Sequence, residues 1–339
     1  MRKRNVPPVP APGKQEGSGP EAGRAVRDQE QTGPVRVSVV AWVSLLIVWL
    51  VWGSTYLAIR VGVETIPPLL MAAARNLVAG LIMFPLALRS RRPAVRAAGQ
   101  ATRYRPTRAE WAGCAIVGIL LLVANGVVGV GEKTVPSGLA ALLVATVPLW
   151  LLGIDAGLNH ARLGLAPVAG LALGLAGVAL LSGLGARSGG FSVVGVVIIL
   201  GAAAMWALGT IMARRVTIPD SPALASGMQL LSGGVALLVL AAATGEFGSL
   251  HLAQVSVRSW LALGYLIVMG SMVAFSAYGI AVRALPTTTV ATYAYVNPVI
   301  AVLLGTLILN ERLTPVMFGG GALIVGAVVL VVRRSPPAH

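Results

Sequence analysis

Residues 286–313 read PTTTVATYAYVNPVIAVLLGTLILNERL, and residues 136–163 read PSGLAALLVATVPLWLLGIDAGLNHARL. In each stretch a turn proline (Pro136, Pro286) comes 12 residues before a proline inside an apolar segment (Pro148, Pro298), and an Arg-Leu pair beginning at Arg162 or Arg312 follows 14 later. The offset is 150 positions throughout. A second set agrees, since Trp52, Pro68, Arg75 and Gly80 stand 154 positions before Trp206, Pro222, Gln229 and Gly234. Self-similarity of this kind marks an internal repeat. The repeated segments are apolar runs of about 20 residues, the length a helix needs to cross a bilayer.

Working outward, ten such segments are expected, at 38–59, 67–88, 109–131, 137–156, 163–184, 192–214, 222–243, 257–281, 287–309 and 314–333. The whole chain of 339 residues is 56% apolar and 11% charged, against roughly a quarter charged in a soluble domain. Five helices per half is an odd number, so the second half enters the membrane from the opposite side, an inverted repeat. The expected fold is all-α and membrane-integral, with ten transmembrane helices in two inverted five-helix repeats, 38–184 and 192–333.

The tails at 1–36 and 334–339 lack apolar periodicity; the first, rich in Pro, Gly and charge, is expected to be a disordered, solvated tail. Positive charge is placed asymmetrically. Seven Lys or Arg fall in 1–36 and seven Arg in 89–108, Arg214 with Arg215 and Arg333 with Arg334 follow later segments, and the opposite loops carry singletons such as Lys133 and Arg187. By the positive-inside rule both termini are cytoplasmic and the chain is a multi-pass protein of the cytoplasmic membrane.

The same distribution accounts for the formal charge of +15. The positive residues flank apolar segments and do not alternate with aromatics, so the implied partner is the lipid bilayer and no nucleic acid is expected. The lone Cys114 offers neither a disulfide nor a cysteine metal site. His160, His251 and His339 are too scattered to share a metal. The three lysines follow no phosphate-binding glycine loop, and HExxH and GxSxG are absent. Gly126, Gly129 and Gly131, like Gly170, Gly174 and Gly177, have dinucleotide-like spacing but lie inside spans, where small residues serve helix packing. No cofactor, metal or catalytic group is expected.

Polar residues inside spans are the candidate substrate-binding groups. Arg75 lies near the middle of the second segment, where an arginine costs about 3 kcal/mol or more and needs a partner or a wet cavity. It would grip a carboxylate bidentately or tie helices together. Trp52 and Tyr56 are four apart and share a face of the first helix, either lining a cavity or forming an interfacial belt. Asn125 adds a hydrogen-bonding group in the third segment. In the ninth, Tyr293 and Asn297 share a face, Tyr295 lies between them, and Pro298 removes the amide that would bond the carbonyl of Ala294. Pro148 does the same to Val144, so both prolines are expected helix breaks. Glu311 and Arg312 read as an anchor or ion pair. Asp155 near the inner end of the fourth segment, and Glu132 with Lys133 at an outer loop, read as candidate proton or gating charges or, as the weightier reading, as solvated loop-edge residues.

Three stretches carry a resemblance: WGSTYLAIR at 52–60, PPLLMAAARNLVAG at 67–80 and NPVIAVLLGTLILNERLT at 297–314. Together they resemble the EamA family of the drug/metabolite transporter superfamily, in particular its bacterial inner-membrane exporters. The resemblance covers about 38–333 as two copies. It implies an inverted pair of five-helix units around a central cavity, exporting amino acids, related metabolites or drugs without ATP hydrolysis. The first copy departs from the pattern, with His160 and Ala161 where the second has Asn310 and Glu311.

The expected function is therefore a secondary transporter of a small-molecule substrate, working by alternating access, with the proton gradient as the default driving force. A membrane-embedded enzyme for lipid or isoprenoid substrates would need clustered carboxylates or histidines, and the eleven acidic residues are dispersed. A non-transporting sensor is the other alternative. Substrate identity, transport direction and a homodimer, for which small-residue faces are available, are left open by the sequence.

Overall fold

The computed structural model describes residues 39–90, 94–95, 101–102, 104–159, 165, 168–170, 172–174, 176–178, 180, 191–285, 287–290, 292–312 and 314–334; Tyr295 is among the few of these described by backbone alone. The expected tail 1–36 and half of the expected fifth helix lie outside these residues, although 168–170, 172–174 and 176–178 are helical.

Helix α1 spans Val39–Gly62 and α2 Pro68–Ser90. Two-residue strands, β1 (Ala94–Val95) and β2 (Ala101–Thr102), pair antiparallel with Ala94 opposite Thr102. Then come α3 (Arg108–Glu132), α4 (Ser137–Val144) and α5 (Val147–Leu158). The later part holds α6 (Val193–Met212), α7 (Pro222–Ala243), the short α8 (Glu246–Ser249) and α9 (Val257–Tyr265). From α9 the chain runs through a π-helical stretch, Leu266–Val273, into α10 (Ala274–Ala284). It closes with α11 (Thr287–Val290), α12 (Tyr293–Leu309) and α13 (Pro315–Arg334).

Seven of these stretches are long and apolar enough to cross a membrane by length and composition, with α4 and α5 counted together and α9 continued to Tyr278; Val296–Leu309 and Pro315–Ala327 are shorter apolar helices. On α1, Val39, Val43, Leu46 and Leu50 are exposed while Ala41, Leu45 and Val48 are buried. Both faces are apolar, so the helix is built for hydrocarbon on one side and protein on the other. The chain is a multi-pass membrane protein.

Helix ends follow from local chemistry. Thr107 and Glu110 form a reciprocal capping box at the start of α3, satisfying amides that have no partner within the helix. Ser221 caps α7 ahead of Pro222, the first helical position, where proline loses no hydrogen bond. Glu246 accepts from the backbone nitrogens of Leu69 and Leu70 at 2.9 and 3.0 Å, placing an anion on the positive end of α2.

The expected fourth helix is broken at Ala145 and Thr146. Pro148 then occupies the first turn of α5, where its missing N–H costs nothing. Pro298 lies inside α12, whereas the backbone of the expected ninth helix is interrupted earlier, between Val290 and Tyr293.

The described residues from Val39 onward pack as one unit, and its most extensive helix contact joins α2 to α7. There a Cβ on Gly80 would lie 2.9 Å from Leu231, and one on Gly234 would lie 2.8 Å from Leu77. Leu77 and Leu231, like Gly80 and Gly234, are 154 positions apart, so each repeat mate fills the notch of the other. Helix α3 crosses α7 equally closely, since a Cβ on Gly118 would meet the Gln229 carbonyl at 2.5 Å. Backbones this near are the usual result of small residues facing each other in a membrane.

Candidate functional site

The centre of the unit is organised by Arg75, which is only 5% exposed. Its Nε donates to Ser271 Oγ at 2.7 Å and its Nη1 to Asn125 Oδ1 at 3.0 Å. Two of the residues singled out in the sequence are thus brought into direct contact, joined by a third that was not. Ser271 sits in the π-helical stretch. A π-turn carries an extra residue and rotates the side chains that follow it, and such turns recur at functional sites. Gly270 keeps the approach open, since a Cβ there would lie 3.3 Å from both Arg75 Nη2 and Thr55 Cγ2.

Among α1, α2 and α3 the guanidinium borders a cavity of about 10 Å³ lined in part by Met71, Ala72, Arg75, Asn125 and Gly129. That is close to the space one water molecule needs.

An aromatic group adjoins this polar one. Ser271, Phe275 and Tyr278 follow at four and three residues, so they occupy one side of their helix. Trp52 of α1 meets Phe275 at 5.7 Å, Tyr278 at 5.1 Å and Tyr293 of α12 at 5.4 Å between ring centroids. Trp52 with Phe275 and with Tyr293 is edge-to-face, an orientation the ring quadrupoles favour. All four rings are half-buried. The result is a strip with a cation and its hydrogen-bonding partners at one end and four rings at the other.

The remaining sequence candidates are placed differently. Tyr56 packs beside Val128, Val135 and Leu139 and is not in ring contact with Trp52. Asn297 is 6% exposed; with its amide nitrogen turned to donate, it reaches the carbonyls of Tyr293 and Trp49, each at 3.2 Å. It ties α12 to α1, as does the bond from Trp49 Nε1 to Thr292 Oγ1 at 3.2 Å. The side chain of Tyr295 lies outside the described residues.

At one end of the bundle Glu311 accepts from Ser137 N at 2.8 Å, Ser137 Oγ at 2.9 Å and Gly138 N at 3.2 Å. It is a helix cap for α4, and among the described residues it makes no ion pair. Asn310, with φ of 53°, makes the turn after α12 that presents Glu311 to α4; asparagine tolerates this left-handed conformation better than most residues. A recess of about 190 Å³ lies beside it, lined by Arg60, Glu64, Pro136, Leu309 and Glu311. Asp155 is the exposed loop-edge charge expected, 4.0 Å from Arg215. Glu132 is not: it is fully buried.

The model of the EamA-like transporter family matches residues 40–183 and again 193–333. The chain belongs to the EamA-like transporter family. The uncharacterized inner membrane transporter YedA of Escherichia coli K12 is 38% identical over 293 residues, covering 85% of this chain and 89% of the relative. An uncharacterized transporter of Bacillus subtilis, YvbV, is 30% identical over 296 residues, covering 86% and 92%. A probable amino-acid metabolite efflux pump of Escherichia coli is 25% identical over 288 residues, covering 83% and 90%. A crystal structure superposes with a TM-score of 0.55 at 21% identity, covering 88% of this chain and 99% of that one, which supports the fold alone. Within this EamA-like chain the two matched copies meet at Arg75, because α2 belongs to the first match while Ser271 belongs to the second.

Proposed function

We propose that the chain is a secondary carrier of the inner membrane that exports small organic solutes, amino acids and related metabolites or drugs, by alternating access between its two halves. Ten crossings, five in each inverted repeat with both termini cytoplasmic, complete the reading; the basic clusters and the two family matches support it. A relative named as a probable amino-acid metabolite efflux pump supports the substrate class. The driving force assigned is the proton gradient.

The observation that carries the proposal is the buried Arg75, held by Ser271 and Asn125 beside four aromatic rings. A guanidinium in this setting binds a carboxylate with charge-assisted hydrogen bonds. The rings give an apolar side chain or aromatic ring a surface to lie on. Rocking of one half against the other would trade Arg75's protein partners for the solute's.

The test is uptake and efflux of a labelled amino-acid and drug panel in proteoliposomes, with and without an imposed pH gradient, for the wild type, Arg75→Gln and Arg187→Gln. Movement by the wild type and Arg187→Gln that Arg75→Gln loses while remaining folded is the expected result. Equal activity of both variants removes Arg75 from the site. No movement of any compound by verified, folded protein counts against the carrier reading.

A further inference from the structure

Glu132 is the last residue of α3, and none of its surface reaches solvent. Neither carboxyl oxygen has a hydrogen-bond partner among the described residues. The backbone of the same residue is served, because Arg60 donates through Nη1 to the Glu132 carbonyl. A guanidinium therefore lies alongside a buried carboxyl without pairing with it.

The charged and titratable surroundings are few. Helix α1 contributes Tyr56 and Arg60, and Glu64 lies in the turn after it; Arg60 and Glu64 line the recess shared with Glu311. Glu311 is engaged on α4. Helices α4 and α6 carry no titratable side chain. Helix α2 contributes Arg75, held by Ser271 and Asn125, and its start is served by Glu246. Lys133 is exposed.

An ionised carboxylate with no donor on either oxygen is expensive in a dry site. Two events relieve it. A proton can bind, forming an O–H and leaving Arg60 on the carbonyl; or Arg60 can move to the carboxylate, which requires this end of the bundle to loosen and admit water. The two protonation states thus favour different arrangements of α1, α3 and α4, the differential preference that coupling needs. Buried acids of this kind in membrane proteins commonly serve proton relays.

We propose that the Glu132 carboxyl is the carrier's proton-binding site: it exchanges its proton with water in the recess beside Arg60 when the Ser137–Glu311 contact opens, and it is enclosed when that contact is made. The proposal rests on the carrier reading above and names the group that would link solute movement to the gradient.

Full-length protein is purified and studied in two ways. Infrared difference spectra between acidic and alkaline buffer detect the carbonyl stretch of a protonated, dry carboxyl. The wild type and Glu311→Gln are expected to show a band that is lost on alkalinisation, and Glu132→Gln to lack it. In proteoliposomes, Glu132→Gln is expected to lose gradient-driven accumulation, falling to the level without a gradient, while still exchanging solute for solute; Glu132→Asp restores part of the accumulation. A band unchanged in Glu132→Gln, or full accumulation by that variant, overturns the proposal. If the wild type moves no compound of the panel, the carrier reading falls, and the infrared result still decides whether Glu132 binds the proton.

Discussion

Glu311 and Ser137, 174 positions apart, meet at 2.8 Å between a carboxylate oxygen and a backbone nitrogen. The second matched copy thereby supplies the anion that the start of α4, in the first copy, calls for. The first copy has Ala161 at the corresponding place, with no carboxylate to return the contact.

Replacing Glu311 by Gln keeps the shape but removes the charge from a helix N-terminus and from three accepted bonds. A loss of about 1–3 kcal/mol is expected. Thermal unfolding of the detergent-purified protein measures it. Arg312→Gln, which removes the neighbouring charge, should change the midpoint little if the cap is what matters.

Asn310→Gly should leave both stability and the Glu311 contact intact, since glycine enters the left-handed region freely. Asn310→Val should cost about 1–2 kcal/mol or more, because a β-branched residue is strained there. A similar midpoint for the two variants would contradict the role given to this turn.

Arg75→Lys tests geometry rather than charge. A single ammonium lacks the planar fork that lets Arg75 reach Ser271 and Asn125 at once. Transport by Arg75→Lys is expected to be almost as low as by Arg75→Gln in the same liposome assay. Wild-type rates for the lysine variant would mean that only positive charge is needed.

Gly118→Ala places a Cβ against the carbonyl of Gln229, and backbone cannot move aside as a side chain end can. Overpacking of this kind costs about 1–3 kcal/mol. Gly153→Ala, with nothing within 4 Å of the added atom, should be neutral or stabilise by about 0.5–1 kcal/mol. Comparing unfolding midpoints of the two variants separates packing from helix propensity.

Much of this was legible in the sequence. The apolar runs identify a membrane protein, because hydrocarbon imposes length and hydropathy on every span; the repeated Pro, Gly and Arg-Leu positions mark two related halves, and the family shows only through the resemblance of three stretches. Arg75 and Asn125 stood out individually as polar residues in apolar runs, and the fold joins them. Ser271 carried no signal: a serine is unremarkable in a span, and its placement depends on a π-turn that no simple period shows. The sequence leaves Glu132 between a proton or gating charge and a solvated edge, and favours the edge because the residue ends a span next to Lys133; its burial removes the edge reading. The chain turns immediately into α4, with Val135 and Ser137 buried, and this turn encloses it. The break at Ala145 and Thr146 follows Val144, whose carbonyl Pro148 is expected to leave without its amide, and Pro148 itself sits in the first turn of the next helix.

The interlocked Gly80, Leu231, Gly234 and Leu77 have a mechanical meaning. The contact is made of repeat mates from the two matched copies, and it lies where the helices pack most extensively. Sliding along such a crossing would drive each leucine out of its glycine notch, so under the proposed alternation these two helices can tilt about the contact more readily than they can shift along it.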